Sequence, residues 1–294
     1  MTTRKPNAAP IVINLFFAVL SAAILAPLLL VVAISLSSEE SLLHNGYRFI
    51  PSQWDTFAYE IVLRNPLQLL QAYQVTIGVT VIGTACALLM TTMAAYAVSR
   101  RDYRYRRPTL LFIVFTMLFN GGLVPFYILV TQYLNLKDTL AALIVPYLVS
   151  PFYLLIMKGF LEKLPVEIFD SAKIDGASEW RIFLRIVLPL STPALATVGL
   201  FISFAYWNDW WLGLLFINEQ HLVPLQLLLY RIMDTIEFIS ANMDLVNVNL
   251  TSAQFPSLST RMAMAVLAAG PMMFVFPMFQ RYFVAGLTVG SVKS

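Results

Sequence analysis

The chain has 294 residues, 59% of them hydrophobic and only 12% charged, with a mean hydropathy of +0.75 and a formal charge of +3. Soluble domains carry about 25% charged residues, so this composition excludes a water-soluble globular protein and points to an integral membrane one. The single cysteine, Cys86, excludes an internal disulfide and, lying in an apolar run, is expected to pack against neighbouring helices.

A hydrocarbon core of roughly 30 Å calls for about 20 apolar residues per helix, and lipid offers backbone amides no partner, so the spans must be helical. Six stretches qualify: 11–36, 72–99, 109–131, 139–160, 189–216 and 262–279. The first is too long for a signal-peptide core and has no clear small-residue cleavage site, so it reads as a signal anchor and first span. Asn120-Gly121-Gly122 and Pro146 interrupt the third and fourth, which are expected to bend there.

Basic residues set the expected orientation. With both termini inside, Arg4 and Lys5, the run Arg100, Arg101, Arg104, Arg106 and Arg107, five bases between 158 and 185, Arg281 and Lys293 all lie inside, 14 of the 19 lysines and arginines. Arg48, Arg64, Lys137, Arg231 and Arg261 lie outside. The organisation is then an N-terminus of residues 1–10, a first span and external segment over 11–71, a core of five spans over 72–279 and a tail of 280–294. Within the core, a polar loop of 162–189 faces inside and a long segment of 217–260 faces outside.

The external segments contain an amphipathic piece near 56–63 and a Leu-rich helix near 225–239. Neither is expected to span, because Asp234 and Glu237 would each cost about 2.5–3.5 kcal/mol at a bilayer centre. They either cover helix ends or meet an external partner. Asp209 is the one acid inside a span by these boundaries, beside Trp207, Asn208, Trp210 and Trp211. An acid at that depth is either part of a solute path or a helix-end carboxylate wetted at the aromatic interface. Trp207, Asn208 and Asp209 suit a saccharide, which stacks on aromatic faces and bonds to amides and carboxylates. Asn120, Tyr127 and Tyr153 are further polar candidates for the path, or else helix–helix glue.

The most ordered polar stretch is 165–189, PVEIFDSAKIDGASEWRIFLRIVLP. From 158 to 185 its bases (Lys158, Lys163, Lys173, Arg181, Arg185) match its acids (Glu162, Glu167, Asp170, Asp175, Glu179) in number. It reads as two short helices with a hinge. Pro165 suits a first helical position, Gly176 permits a turn with positive φ, and Ser178 can cap the second helix. Trp180, Phe183, Leu184 and Val187 repeat at i, i+3, i+4 and i+7, an expected single apolar stripe.

This stretch resembles the EAA loop of ATP-binding-cassette importer permeases: E-A-A, three residues, Gly, nine residues, I-x-L-P. Asp170-Ser171-Ala172 stand for E-A-A, Gly176 follows after three, and Ile186-Val187-Leu188-Pro189 follow after nine; Asp for Glu and Ser for Ala are the departures. Gly286-Leu287-Thr288-Val289-Gly290-Ser291-Val292-Lys293 looks like the tail of the six-span permease subunit of maltose importers, which reaches towards the ATPase pair. Asn120-Gly121-Gly122-Leu123-Val124-Pro125, Asn135-Leu136-Lys137-Asp138-Thr139 and Trp207-Asn208-Asp209-Trp210 look like the oligosaccharide and polysaccharide branch, which includes alginate-type importers; an alginate importer permease subunit is the single guess taken from it, and nothing in the residues requires it.

The resemblance implies an all-α, six-helix type I importer transmembrane domain of the MetI-like superfamily, both termini cytoplasmic, in a bacterial inner membrane. It implies a saccharide-moving permease that is not itself an enzyme, with two ATPase subunits, a second, different permease subunit, an extracytoplasmic solute-binding protein, a saccharide substrate and lipid as partners, and no nucleic acid. ATP and Mg would be bound by the ATPase subunits and no cofactor by this chain, which has no G-x-x-x-x-G-K-[ST] phosphate loop. The coupling contacts carried over are Glu167, Asp170, Ser171, Ala172, Asp175, Gly176, Ala177, Trp180, Phe183 and Pro189, acting as a lever on spans four and five. A polyanionic substrate would call for basic path residues, which are few here unless a partner supplies them. Against other classes, His44 and His221 are the only histidines and no H-E-x-x-H occurs, as a zinc enzyme would need. No convincing internal repeats or midplane charges mark an ion-coupled carrier. The same fold carrying amino acids, metals or phosphate remains the alternative on the loop motif alone.

Overall fold

The computed structural model describes residues 8–242 and 257–289. Arg4, Lys5 and the tail from Gly290 to Lys293 lie outside the described residues. Regular structure in the described part is helical, apart from one isolated bridge between Ser37 and Trp54. Three described helices are long and apolar enough to cross a membrane, and six spans result if each of three bent helix pairs counts as one. The described residues form two compact units, one up to Pro66 together with Leu229–Gly270, the other Leu67–Leu228 with the residues from Pro271.

In the first unit, α1 (Ala8–Ser35) is the most apolar helix, and residues from Val12 to Leu25 are exposed along it. This suits a lipid-facing rod, since lipid is as apolar as its side chains. Its end is tied down: Ser35 Oγ donates to Val32 O at 2.7 Å and pairs with Tyr59 Oη at 2.8 Å. Two short helices come next, α2 (Glu39–Asn45), capped by Ser38 Oγ, and α3 (Phe57–Val62), at the amphipathic piece expected there.

Glu39 is the buried acid of this unit. Its carboxylate accepts from Ser257 Oγ (3.1 Å), Leu258 N (3.0 Å), Ser259 N (3.1 Å) and Ser259 Oγ (2.9 Å). It therefore satisfies the orphan amides that open the last helix, 219 residues away from Leu258.

The second unit begins with α4 (Pro66–Ser99), six residues earlier than the expected start of span two. Its buried face is small and polar, including Ala72, Thr76, Gly83, Ala87, Thr91 and Ala95, which allows close helix approach. Cys86 lies off this face and is exposed rather than packed, correcting the expectation for it. Then come α5 (Arg106–Leu118), α6 (Leu123–Ile128) continuing as a π turn to Tyr133, α7 (Leu140–Ile144) continuing as a 3-10 turn to Tyr147, and α8 (Pro151–Leu161). The axis bends by 112° between α5 and α6 and by 49° between α7 and α8, at Gly121-Gly122 and just beyond Pro146, where the sequence placed breaks.

Next are α9 (Val166–Ile174), α10 (Glu179–Ile182), a π segment to Val187 and α11 (Leu188–Leu190). An 80° bend at Ser191 leads into α12 (Thr192–Trp207), so the helix expected from 189 starts at 192. That span is also not continuous: α12 stops at Trp207, and α13 (Trp211–Phe216) restarts after three residues. The chain crosses back to the first unit within α14 (Leu225–Ala241), the Leu-rich helix, and α15 (Leu258–Val289) passes from the first unit into the second. Arg261 pairs with Glu237 at 3.5 Å in the first unit.

Glu39→Ala strips four hydrogen bonds from the start of α15 and leaves buried amides unpaired. It is expected to destabilise the purified protein by about 2–3 kcal/mol, read as a lowered thermal midpoint, whereas Glu40→Ala, at an exposed position, changes stability by less than about 0.5 kcal/mol.

Candidate functional site

The polar loop folds as an elbow. α9 ends in a Schellman motif: Gly176 N donates to Lys173 O at 3.0 Å and Ala177 N to Ala172 O at 2.9 Å, with Gly176 at φ +73°. A Cβ added at Gly176 would meet nothing within 4 Å. The glycine is therefore required by the turn and not by a close approach. Ser178 Oγ then accepts from Arg181 N at 3.4 Å and caps α10. Pro165 is the N-cap of α9 rather than its first residue, a one-residue difference of the kind helix ends commonly show.

The expected apolar stripe is split. Phe183 and Val187 are buried together with Ile182, but Trp180 is 62% and Leu184 55% exposed. Two causes act: α10 has only one α-turn, and the π segment widens the spacing from 183 to 187, so the 3.6-residue period no longer holds. Ile174, beside the hinge, is 87% exposed. Ile174, Trp180 and Leu184 thus leave apolar side chains outside on the elbow, where the first-turn acid Glu167 and the side chains of Asp170, Ser171, Asp175 and Pro189 are also exposed. Ser171 Oγ bonds back to Glu167 O at 2.8 Å, and Ala172 and Ala177 are half-buried around the turn.

A charge network holds the elbow. Lys173 Nζ lies 2.7 Å from Asp102 and 3.1 Å from Glu179, bridging both sides of the hinge. Glu179 also accepts from Tyr96 Oη at 2.6 Å, and Arg100 pairs with Asp102 at 3.0 Å. The Arg100 guanidinium lies 4.9 Å from the centre of the Phe169 ring, and Tyr96 packs beside Phe169 and Phe183. Arg106 and Lys158 share Glu162 nearby. Sequence reasoning counts Arg100 only for orientation and misses Tyr96, Asp102 and Phe169, because their partners lie about 70–80 residues away and no local spacing announces them.

The second feature is a cavity of about 680 Å³ where three helix breaks meet, lined by Asn120, Gly121, Gly122, Pro146, Tyr147 and Trp211 among others. Asn120 Oδ1 accepts from Gly122 N at 2.8 Å, an Asx turn that, with Gly122 at φ +86°, closes the first break. Asp209 accepts from Tyr147 Oη at 3.1 Å and from Leu212 N at 3.3 Å, so it closes the break between α12 and α13. Asn208 is exposed and its amide donates back to Phe204 O at 2.9 Å. Trp207 is buried, Tyr127 stacks on Phe216, and Tyr153 stacks on Phe201. Of the six path candidates, Asn120 lines the cavity and Asp209 touches its Tyr147 wall, while Tyr127, Tyr153 and Trp207 are engaged in packing. The Asn135–Thr139 stretch is also structural: Asp138, at φ +55°, accepts from the amides of Asn218 and Glu219, which hold it below the usual carboxylate range.

Hydrogen bonds from Arg100 and Lys173 lower the carboxyl of Asp102, the bond from Tyr96 leads in lowering that of Glu179, and Asp102 then Glu179 raise Lys173. Lowered acids contribute stability above their unfolded values near 4, and that contribution is lost as pH falls through the folded values; the raised lysine contributes until pH rises through its own. Amide protection across 166–182, taken relative to the unstructured exchange rate at each pH, is therefore expected to hold from about pH 5 to 9 and to fall below about pH 4.

No family model matches the chain. Protein LplC of Bacillus subtilis is 37% identical over 95% of this chain and 92% of its own length. The polygalacturonan/rhamnogalacturonan transport system permease protein YtcP of the same organism is 36% identical, over 91% of this chain and 92% of its own. The crystal structure of a bacterial ABC transporter involved in the import of the acidic polysaccharide alginate contains a chain that superposes with a TM-score of 0.76 at 26% identity, covering 96% of this chain and all of that one. With an all-helical fold, a glycine elbow at EAA spacing and relatives matched nearly end to end, the chain belongs to the carbohydrate branch of the ATP-binding-cassette transporter permeases.

Proposed function

We propose that this chain is one of two permease subunits in a saccharide importer, and that its elbow docks into separate ATPase subunits on the cytoplasmic side. The observation that carries this reading is the elbow itself. Ile174, Trp180 and Leu184 are exposed on a hinge of defined geometry, apolar side chains that a docking partner can cover. The basic run from Arg100 to Arg107, on the same side as the elbow, supports N-in, C-in orientation. ATP and Mg bind on the ATPase subunits. Closure of that pair moves the elbow, and access to the path switches between the two faces of the membrane. A solute-binding protein delivers the saccharide to the external segments.

The cavity at the three helix breaks is the proposed path. Non-helical backbone at membrane depth is tolerated where it lines a cavity, and Asn120, Tyr147 and Trp211 offer an amide, a phenol and an indole face to a sugar. The polygalacturonan-linked relative and the alginate-importing structure favour an oligomeric or polymeric, uronate-type substrate. The basic groups such a substrate needs would come from the second permease.

Gly176→Pro cannot adopt φ +73° and removes the amide that closes α9. The variant is expected to insert and assemble normally while ATP hydrolysis no longer drives uptake. Wild-type uptake per ATP in proteoliposomes would refute the elbow. Tyr147→Phe, which removes one hydroxyl from the cavity wall and the bond to Asp209, is expected to lower uptake about 3–10-fold with ATPase coupling to the elbow unchanged.

A further inference from the structure

The geometry points to α4 as the rod that carries the elbow's motion, with Lys173, Glu179 and Tyr96 clamping both coupling helices to its end; this rests on the elbow reading above. A lever attached only through its chain ends would move α8 and α12. The structure adds a lateral attachment. Tyr96 lies on the last turn of α4 and bonds Glu179 of α10, and its ring packs against Phe169 of α9 and Phe183. Lys173 joins Glu179 across the hinge and also holds Asp102, which Arg100 fixes just past the end of α4. The hinge at Gly176 is thereby stapled: α9, α10 and the end of α4 share one set of bonds.

Exposed ion pairs contribute little stability, about 0–1 kcal/mol each. The side chains here are 36% and 55% exposed for the Lys173–Glu179 pair, so the network's value is in position rather than in holding the fold. It is also selective in geometry, since Tyr96 and Lys173 meet the same carboxylate from two elements.

The middle of the rod meets the wall of the cavity through one tyrosine ring. Gly83 of α4 lies directly on the ring of Tyr206: a Cβ there would fall 2.7 Å from it. Tyr206 donates to Ile144 O at 2.8 Å and its ring meets that of Tyr147, whose hydroxyl bonds Asp209. From Tyr96 to Gly83 is about 20 Å at ~1.5 Å per residue. A displacement of the elbow thus arrives, through one uninterrupted helix and the Tyr206 ring, at the Tyr147 wall of the cavity. Tyr96, Lys173 and Glu179 are positioning residues in this scheme, acting on the solute through α4.

The test uses the whole transporter, with ATPase subunits, second permease and binding protein, in proteoliposomes. Glu179→Ala is expected to leave assembly and ATPase rate unchanged but to lower uptake per ATP hydrolysed about tenfold. Tyr96→Phe, which keeps the ring, is expected to show a smaller loss, and Lys173→Arg, which keeps both ion pairs, to stay near wild type. A purely structural role would instead lower the amount of assembled complex and leave the ratio alone, which would overturn the proposal. Normal coupling in Glu179→Ala alongside uncoupling in Gly176→Pro would overturn the clamp and leave the elbow standing, whereas normal coupling in both would sink the two together. Spin labels at Arg101→Cys and Val166→Cys in a Cys86→Ala background give an independent readout. Their separation is expected to stay within about 2 Å between nucleotide-free and vanadate-trapped states, and a change beyond about 5 Å would show that α4 and the elbow part company.

Discussion

Lipid offers a peptide group no hydrogen-bond partner, so each break in a span must carry its own. The chain meets this constraint with local acceptors at two breaks. Asn120 closes the turn before α6, and Asp209 takes the Leu212 amide at the start of α13. A third break, around Pro146, uses a residue that has no amide to satisfy. All three breaks converge on one cavity, where Asn120 both repairs a break and lines the wall, while Asp209 stands behind Tyr147.

The elbow obeys a different constraint. It is polar and exposed, and its order comes from bonds that water could replace. A Schellman motif, a serine cap and a shared lysine define it, while three apolar side chains remain uncovered on its outside. Uncovered Ile174, Trp180 and Leu184 are the side chains that the proposed docking would cover. Glu39 shows the same economy in the first unit, where one buried carboxylate opens the last helix.

Much of this is legible in the residues. Gly-Gly at 121–122 and Pro146 mark real bends because they act on their own backbone, and Gly176 with Ser178 specify the hinge for the same reason. The split of the apolar stripe is not legible, because a π segment changes the helical period and nothing in Phe183–Val187 announces that widening. Cys86 reads as a packed residue because it lies in an apolar run, but which face of α4 turns inward depends on where Tyr206 meets Gly83.

Sequence alone determined the membrane setting, the helical class, the EAA spacing and the family resemblance, since each depends on composition or on neighbours within a few turns. Tertiary structure decided which helices the elbow holds and which candidate polar residues reach the cavity. Tyr96 with Glu179 and Tyr147 with Asp209 are 83 and 62 residues apart; such pairings are chosen by packing, and packing has no signature in local order.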